Sequence, residues 1–229
     1  MSARVYHRIP HLPGSRTGAS DRTAAATLVG WCTVAARPGD EIIVQEKLDG
    51  SCVAVARRDG ELVALGREGR RADASPNEGR QRFAAWVDER TFAFLGEGET
   101  LVGEWLALVH GTRYELAHPA FVPFDLFTPS GRLGLDALTA RLAGTGLVTP
   151  ACLHRGAAIP LDAIEPRLGR YGHHGAIDPA EGVVYRVERA GCPVALAKYV
   201  RGGKVDGRFL PEQTGERALW NPCPSSSPT

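Results

Sequence analysis

A lysine stands where a run of strand-forming residues gives way to a turn. Ile42, Ile43 and Val44 are apolar and β-branched, and Lys47-Leu48-Asp49-Gly50 follows them closely. This order predicts a strand that ends at Lys47 and a turn at Asp49-Gly50. A lysine amine is a nucleophile only without its proton, so burial, neighbouring cations or a bound metal must lower its pKa. By itself the four-residue run is equally typical of an exposed lysine at a strand end.

Two glutamates stand beside or within strongly apolar segments further along the chain. Glu104 lies in the segment 100–106, and Glu181 directly precedes the segment 182–187. An unpaired carboxylate buried among apolar side chains is strongly destabilising. We therefore predict that each of these glutamates faces a polar cavity.

The elements that must position these residues form a mixed α+β pattern with mostly antiparallel strands. Helices are predicted near 22–30, at 135–143, and at 161–168 with an interruption at Pro166. A further helix is predicted to start with a capping box at Ser75, with Pro76 at its first helical position, and to run to Glu89. Strands are predicted at 41–47, 52–56, 61–65, 100–106, 121–127, 148–154, 182–187 and 194–200.

Composition excludes several classes of protein. No run approaches the length of a membrane span, and the N-terminus lacks the apolar segment of a secretion signal. The five cysteines include no C-x-x-C pair, which favours reduced thiols in a cytoplasmic protein over disulfides or a zinc site. The net charge is +1, but arginines cluster at 4–22 and 67–82. Such clusters either follow a phosphate backbone or form an ordinary solvated surface.

Attack by a lysine on the α-phosphate of a nucleotide would set further requirements. Cations must offset the phosphate charge, a metal must assist the leaving group, and the base and ribose need an aromatic surface and acceptors. Six segments resemble, in order, the motifs of the covalent nucleotidyltransferase superfamily of ligases and capping enzymes. They are Lys47-Leu48-Asp49-Gly50, Gly66-Arg67-Glu68-Gly69, Leu101-Val102-Gly103-Glu104-Trp105, Phe121-Val122-Pro123-Phe124-Asp125-Leu126, Glu181-Gly182-Val183-Val184-Tyr185 and Ala197-Lys198-Tyr199-Val200-Arg201.

The resemblance implies a nucleotidyltransferase (ATP-grasp-like) domain of two antiparallel sheets flanked by helices, with a central nucleotide groove. It implies that Lys47 attacks ATP to form lysyl-AMP, with Mg²⁺ or Mn²⁺ as the metal. The implied catalytic residues are Lys47, Asp49 and Lys198, and the implied metal ligands are Glu181 and Asp49. The implied nucleotide-binding residues are Glu46, Lys47, Arg67, Glu104, Phe124, Glu181 and Lys198.

Among these families the chain is most similar to the RNA ligase 2-like branch, because the proline-rich segment 9–15 precedes Lys47 as it does there. The expected domain is 1–220 with an arm at 1–40, a disordered tail at 221–229 and no oligonucleotide-binding-fold domain. The implied substrate is RNA with 5′-phosphate and 3′-hydroxyl ends, in RNA repair, with a protein partner replacing the missing domain. Alternatives are a nucleotide- or RNA-binding accessory module and an adenylyltransferase or DNA ligase with another acceptor.

Two departures from the family pattern bear on the site. Cys52 stands where the family commonly has asparagine, and Lys198 lacks the second lysine of a Lys-x-Lys pair, for which Arg201 is a candidate. Phe124 could also be plain core and Asp125 a structural hydrogen-bonding residue. His110 could contact the substrate, but it is interpreted as a structural histidine. His173-His174 are interpreted as loop residues rather than metal ligands, since no partners stand at ligand spacing.

Overall fold

Nine strands form two antiparallel sheets in the computed structural model, which describes residues 5–224. The first sheet has the order β7-β1-β8-β9 and the second the order β3-β2-β4-β5-β6. The strands are β1 Asp40–Lys47, β2 Ser51–Arg58, β3 Glu61–Gly66, β4 Thr100–Trp105, β5 Phe121–Thr128, β6 Gly131–Arg132, β7 Cys152–Gly156, β8 Gly182–Arg189 and β9 Cys192–Val200. All eight long strands were predicted within a few residues; only the two-residue β6 was not.

The turn after Lys47 is the crossover between the two sheets. Strand β1 pairs with β7 and β8 in the first sheet, whereas β2 pairs with β3 and β4 in the second. The segment 48–50 therefore carries the chain from one sheet to the other. Lys47, as the last residue of β1, lies at the junction of the sheets.

Six helices flank the sheets within the described residues. They are α1 Ala26–Thr33, α2 Glu78–Trp86, α3 Glu89–Phe92, α4 Leu135–Leu142, α5 Leu161–Leu168 and α6 Pro211–Thr214. The first begins four residues later than predicted, and α6 was not predicted. Pro166 lies within α5 and does not interrupt it.

The prediction of one helix starting at Ser75 and running to Glu89 was wrong at both ends. Asn77 is the N-cap of α2, and its side chain accepts a hydrogen bond from the Arg80 amide at 3.1 Å. Ser75 instead accepts from the Asn77 amide. Asp88 then caps a separate turn by accepting from the Thr91 amide at 3.0 Å, so a new helix starts where the prediction continued the old one.

Each sheet has its own hydrophobic core. The core of the second sheet is aromatic: Phe83 of α2 contacts Trp105 and Phe121, with ring centroids 5.3 Å apart in both pairs. The core of the first sheet contains aliphatic side chains such as Ile42 and Val187 with Ile164 of α5. The sheets are thus held firm on their outer sides, and the polar residues of the site lie between them.

A buried ionic network joins the sheets. Arg186 of β8 donates from Nη1 to Asp125 Oδ1 of β5 at 2.7 Å and from Nε to Glu188 Oε1 at 2.5 Å. Asp125 also pairs with Arg132 and accepts from the Tyr6 hydroxyl at 2.6 Å. Burial raises the pKa of Tyr6, and the Asp125 charge adds to the increase. The network ties the N-terminal arm to both sheets.

The N-terminal arm is docked rather than irregular along its length. The Leu12 amide donates to Lys198 O at 2.7 Å, and the Lys198 amide donates to Pro10 O at 2.9 Å, which extends the first sheet beyond β9. At its start, the Val5 amide donates to Arg67 O at 3.0 Å, beside the second sheet. The arm therefore crosses from one sheet to the other.

Residues 221 and 222, at the start of the predicted tail, make contacts with the rest of the chain. Asn221 is buried, accepts from the Tyr114 amide at 2.8 Å and donates to Leu106 O at 2.6 Å. The carbonyl of Pro222 accepts from the Leu116 amide at 3.0 Å. Residues 225–229 of the predicted tail lie outside the described part of the chain. From residue 5 to residue 224, no helix is long and apolar enough to cross a membrane.

Candidate active site

The backbone after Lys47 is fixed by hydrogen bonds from both sides. The Asp49 amide donates to the Tyr114 hydroxyl at 3.0 Å, and the Gly50 amide donates to Glu104 Oε1 at 3.1 Å. A Cβ at Gly50 would lie 2.4 Å from the Trp105 carbonyl oxygen, so only glycine fits this close approach. These contacts hold the Lys47 backbone in one place.

The ammonium group of Lys47 pairs with Glu181. Lys47 Nζ donates to Glu181 Oε2 at 2.6 Å, from the end of β1 to the residue just before β8. Burial alone would lower the pKa of Lys47, but the charges of Glu181, Glu104 and Asp49 outweigh it and raise the pKa above its ordinary value. The free protein therefore holds Lys47 protonated, contrary to the lowered pKa that a nucleophile requires.

The two glutamates predicted to face a polar cavity lie beside this lysine. Burial raises the pKa of Glu104 to about 7, with the charge of Lys47 opposing the increase. Burial also raises the pKa of Glu181, again opposed by Lys47. The charge of Glu181 adds to the increase at Glu104, and the charge of Asp49 adds to the increase at Glu181.

A cavity of about 350 Å³ opens between the sheets at Lys47. Its size is within the range of small-molecule sites. Several predicted nucleotide-binding residues line it, namely Glu46, Lys47, Arg67, Glu104, Phe124 and Lys198. Glu181 reaches the same place through its contact with Lys47. The structure thus brings together residues that six separate segments contribute.

Phe124 lies in the cavity wall and also packs against the hydrophobic cluster that contains Tyr6, Ala54 and Val102. Its ring is partly exposed and contacts Tyr6 edge to face, with centroids 5.1 Å apart, whereas Phe121 on the same strand is fully buried. One face of the Phe124 ring is supported by the N-terminal arm. The ring is therefore a rigid apolar surface at the cavity.

Glu46 is held by the loop that contains His173. The His173 amide donates to Glu46 Oε2 at 2.7 Å, and a Cβ at Gly172 (φ +66°) would lie 2.0 Å from Glu46 Oε1. Burial raises the pKa of Glu46 to about 6, and the His173 amide opposes the increase. This loop thus has a structural part beside the cavity, because it fixes the carboxylate that precedes Lys47.

The RNA ligase family matches residues 40–200 of the sequence, which spans all of the strands described above. The chain belongs to the RNA ligase family. The expected fold class, two antiparallel sheets flanked by helices, is confirmed. No curated protein matches the sequence.

Solved structures of ligases share the fold of this RNA ligase family member. An archaeal ATP-dependent RNA ligase is 22% identical over 71% of this chain and 43% of its own, with a TM-score of 0.51. An RNA ligase of Naegleria gruberi with PPi is 15% identical over 93% and 64%, with a TM-score of 0.53. A putative ATP-dependent DNA ligase from Aquifex aeolicus is 17% identical over 70% and 44%, with a TM-score of 0.50. The chain therefore spans between 43% and 64% of the length of these structures.

Two cations of this RNA ligase family chain have different surroundings from those expected. Burial lowers the pKa of Lys198, and the nearby charge of Lys47 lowers it further, so the two ammonium groups are close enough to repel. Arg201, the candidate for a second charge beside Lys198, points elsewhere: it donates to Gly169 O at 2.7 Å and Arg170 O at 3.1 Å. The proposal for Arg201 was wrong, because backbone carbonyls of the preceding loop take up its guanidinium group.

Arg67 and Cys52 both lie in the cavity wall. Arg67 Nε donates to the Tyr6 carbonyl at 3.2 Å, so its guanidinium group is anchored at one edge of the cavity. Burial raises the pKa of the Cys52 thiol, and Glu104 adds to the increase. The thiol is therefore neutral at physiological pH and is not an activated nucleophile.

Among the side chains at or near the cavity that were not predicted as site residues, four are charged or aromatic groups with contacts that hold the site together. Tyr6 and Arg186 line it, Tyr114 holds the Asp49 amide, and Lys204 pairs with Asp49. None of the four lies within the six motifs. Only Arg186 carries a signal in the sequence, because it is an arginine within an otherwise apolar strand. The structure shows it buried, and a buried charge requires a partner.

The oxygen donors near Lys47 have the chemistry of a Mg²⁺ or Mn²⁺ site. Glu181 is paired with Lys47, and Asp49 with Lys204. Among residues 5–224 no group of three or more histidine, cysteine, aspartate or glutamate side chains is arranged to hold a metal. A metal here would share its coordination between these carboxylates and phosphate oxygens of a substrate, which is common for Mg²⁺.

Proposed function

We propose that this chain is an ATP-dependent RNA ligase that forms lysyl-AMP on Lys47. The observation that carries the proposal is the position of Lys47 in the lining of a cavity of about 350 Å³ with an aromatic wall at Phe124 and cations at Arg67 and Lys198. A base, a ribose and an α-phosphate need these three kinds of group. Membership of the RNA ligase family supports the same reaction.

In the first step the Nζ–P bond forms at the α-phosphate while the bond from that phosphorus to the bridging oxygen of pyrophosphate breaks. Lys47 must first lose a proton, and Glu181 Oε2, at 2.6 Å, is the acceptor already in contact with it. Burial raises the pKa of Glu181, but the neighbouring carboxylates also raise the pKa of Lys47, so the proton stays on Lys47 until the nucleotide changes the charges around the pair. A divalent metal held by Glu181 and Asp49 would offset the charge of the leaving pyrophosphate.

The other residues bind and orient the nucleotide. Phe124 stacks on adenine, while Glu104 and Arg67 hold the ribose. Lys198 offsets the charge of the α-phosphate, and Glu46 shapes the cavity floor beside Lys47. The AMP group then passes to the 5′-phosphate of RNA, and a 3′-hydroxyl displaces it to join the strands, as in RNA repair.

The first test is covalent labelling with ATP that carries ³²P on the α-phosphate, in the presence of Mg²⁺ or Mn²⁺. We expect label that survives denaturation and alkali but is released by acid, as for a P–N bond, on the wild-type chain and none on Lys47→Ala. Lys47→Arg is the matched control for charge, since it keeps a cation beside Glu181 but cannot attack; it should also remain unlabelled. Absence of label on the wild type, or equal label on Lys47→Ala, refutes the proposal.

The acceptor is tested with nicked duplexes that differ only in the sugar at the 3′-hydroxyl side. An RNA ligase seals the nick with ribose there faster than the nick with deoxyribose. Sealing that ignores the sugar favours a DNA ligase, the function printed for one structure of similar fold. Label without sealing favours an adenylyltransferase acting on another acceptor, or a need for a partner protein.

A cytoplasmic location stays a prediction.

A further inference from the structure

Lys204 is a buried cation with no part in the reaction as described above. It lies in the segment after β9, and only 7% of its surface is exposed. Its Nζ pairs with Asp49 Oδ2 at 2.6 Å and donates to Thr112 Oγ1. A buried ammonium group is tolerated only when it is paired and hydrogen-bonded, so these contacts fix its position.

The contact joins three segments that are distant in sequence. Asp49 Oδ2 accepts from the Gly111 amide at 2.9 Å as well as from Lys204. A Cβ at Gly111 would lie 2.5 Å from the Val205 carbonyl oxygen and 2.9 Å from Asp49 Oδ2. The turn after Lys47, the loop at 110–114 and the segment at 203–205 therefore meet without spare room.

The use of lysine in this chain is unusually restricted. The sequence contains three lysines, and every other cationic side chain of its 27 lysines and arginines is an arginine. Lys47 pairs with Glu181, Lys198 lines the same cavity, and Lys204 pairs with Asp49. All three lysines thus lie at one site. A surface that needed only charge would show no such distribution.

Lys204 also acts on the pair at the centre of the site. Its charge opposes the effect of burial on Glu181, the partner of Lys47. Arg201, three residues earlier, donates to backbone carbonyls on another side and is not available to replace it. With Lys204 removed, Asp49 would be a buried carboxylate held by the Gly111 amide alone among the partners described here, two residues from Lys47.

We propose that Lys204 is a positioning residue for the reaction at Lys47: it fixes the Asp49 carboxylate against the loop at 110–114 and leaves Glu181 as the partner of Lys47. This inference rests on the proposed function, because it concerns the rate of lysyl-AMP formation. It assigns Lys204 no contact with the nucleotide. The effect is transmitted through Asp49.

The test is Lys204→Met, which keeps the length of the side chain and removes the charge. We expect lysyl-AMP formation at saturating ATP to slow by about 10- to 100-fold, as for other small misplacements of reacting groups. The ATP concentration for half-maximal rate should change by less than about threefold, because Lys204 does not touch the nucleotide. The matched control is Arg208→Met, an exposed cation of the same segment, with a rate within about twofold of wild type.

A double-mutant cycle separates positioning from simple support of the fold. If Lys204 acts through Asp49, then Asp49→Asn with Lys204→Met is no slower than Asp49→Asn alone. Multiplied losses, a rate of Lys204→Met equal to wild type, or a change confined to half-saturation would overturn the inference. If Lys204→Met does not unfold cooperatively in urea, Lys204→Gln keeps a donor for Asp49 and is judged by the same cycle. An unlabelled wild type refutes the proposed function instead, so the two failures are distinct.

Discussion

Replacing Arg186 with methionine should destabilise the protein far more than the same change at Arg189. Both arginines lie on β8, three residues apart, and both pair with an aspartate. Only 2% of the Arg186 side chain is exposed, against 44% of the Arg189 side chain. The two variants lose the same atoms from the same strand, and they differ in the burial of the charge that is removed.

The magnitude follows from what each change leaves behind. Arg186→Met removes the contacts of 2.7 Å to Asp125 and 2.5 Å to Glu188. Asp125 keeps Arg132, but Glu188 keeps only the Leu135 amide, at 2.9 Å, among its partners in the network. Breaking a buried ion pair costs about 3–5 kcal/mol, and we expect about 3 kcal/mol because Asp125 retains a cation. Arg189→Met should cost less than about 1 kcal/mol, because its guanidinium group is exposed and the buried Asp40 keeps Arg37 as a partner.

The assay is equilibrium unfolding in urea, followed by circular dichroism and by tryptophan fluorescence. For a chain of this length, about 3 kcal/mol corresponds to a fall in Tm of roughly 6–12 °C. Coincident transitions by both probes are needed before the free energies of unfolding are compared. A difference of less than about 1 kcal/mol between the two variants would contradict the claim that the Asp125–Arg186–Glu188 network holds the sheets together.

Three further predictions concern the cavity and its surroundings. Phe124→Leu should raise the ATP concentration for half-maximal labelling by about 3- to 10-fold. Phe127 also contacts Tyr6 but does not line the cavity, so Phe127→Leu should leave that concentration unchanged. Equal effects of the two substitutions would argue against stacking on Phe124. Glu104→Gln should stabilise the fold at pH 8 by up to about 3 kcal/mol while slowing labelling. Burial raises the pKa of Glu104 to about 7, so its ionised form opposes folding at high pH. The difference in free energy of unfolding between the variant and the wild type, measured in urea, should therefore vanish as the pH falls from 7 to about 4.5. A difference that does not change with pH would contradict this cause. His174 accepts from the Ala151 amide and contacts His118, and burial lowers its pKa to about 4. The unfolded chain therefore binds this proton more tightly than the folded protein does. Between pH 6.5 and 4 the free energy of unfolding of the wild type should fall by up to about 3 kcal/mol relative to that of His174→Gln, measured by urea unfolding at each pH. An equal fall in both proteins would refute the prediction.

The sequence predicted the strands and most of the helices because their signals are local. β-Branched runs, turn glycines and capping residues act within a few positions, so β1 and β4 could be located without knowledge of their partners. The failures are also local in kind. Asn77 rather than Ser75 caps α2, because two residues two positions apart could each accept an amide hydrogen bond and only the path of the chain decides between them.

The resemblance of six short motifs named the residues that line the cavity, but it did not determine their states. That three carboxylates raise the pKa of Lys47 could not be predicted, since Glu104 and Glu181 are brought to it by different sheets. The sequence allowed Asp125 to be interpreted as a hydrogen-bonding residue. Its ion pair with Arg186 could not be predicted, because the two residues lie on different sheets.

By itself the sequence determined the order of the strands along the chain, the turn that follows Lys47 and the set of groups available for chemistry. The tertiary structure decided which cations serve the site. Arg201 is next to β9 yet turns to backbone carbonyls, while Lys204 reaches Asp49 through a close meeting of three segments. Such choices depend on electrostatic and steric contacts between residues far apart in sequence, and these contacts exist only once the two sheets have packed together.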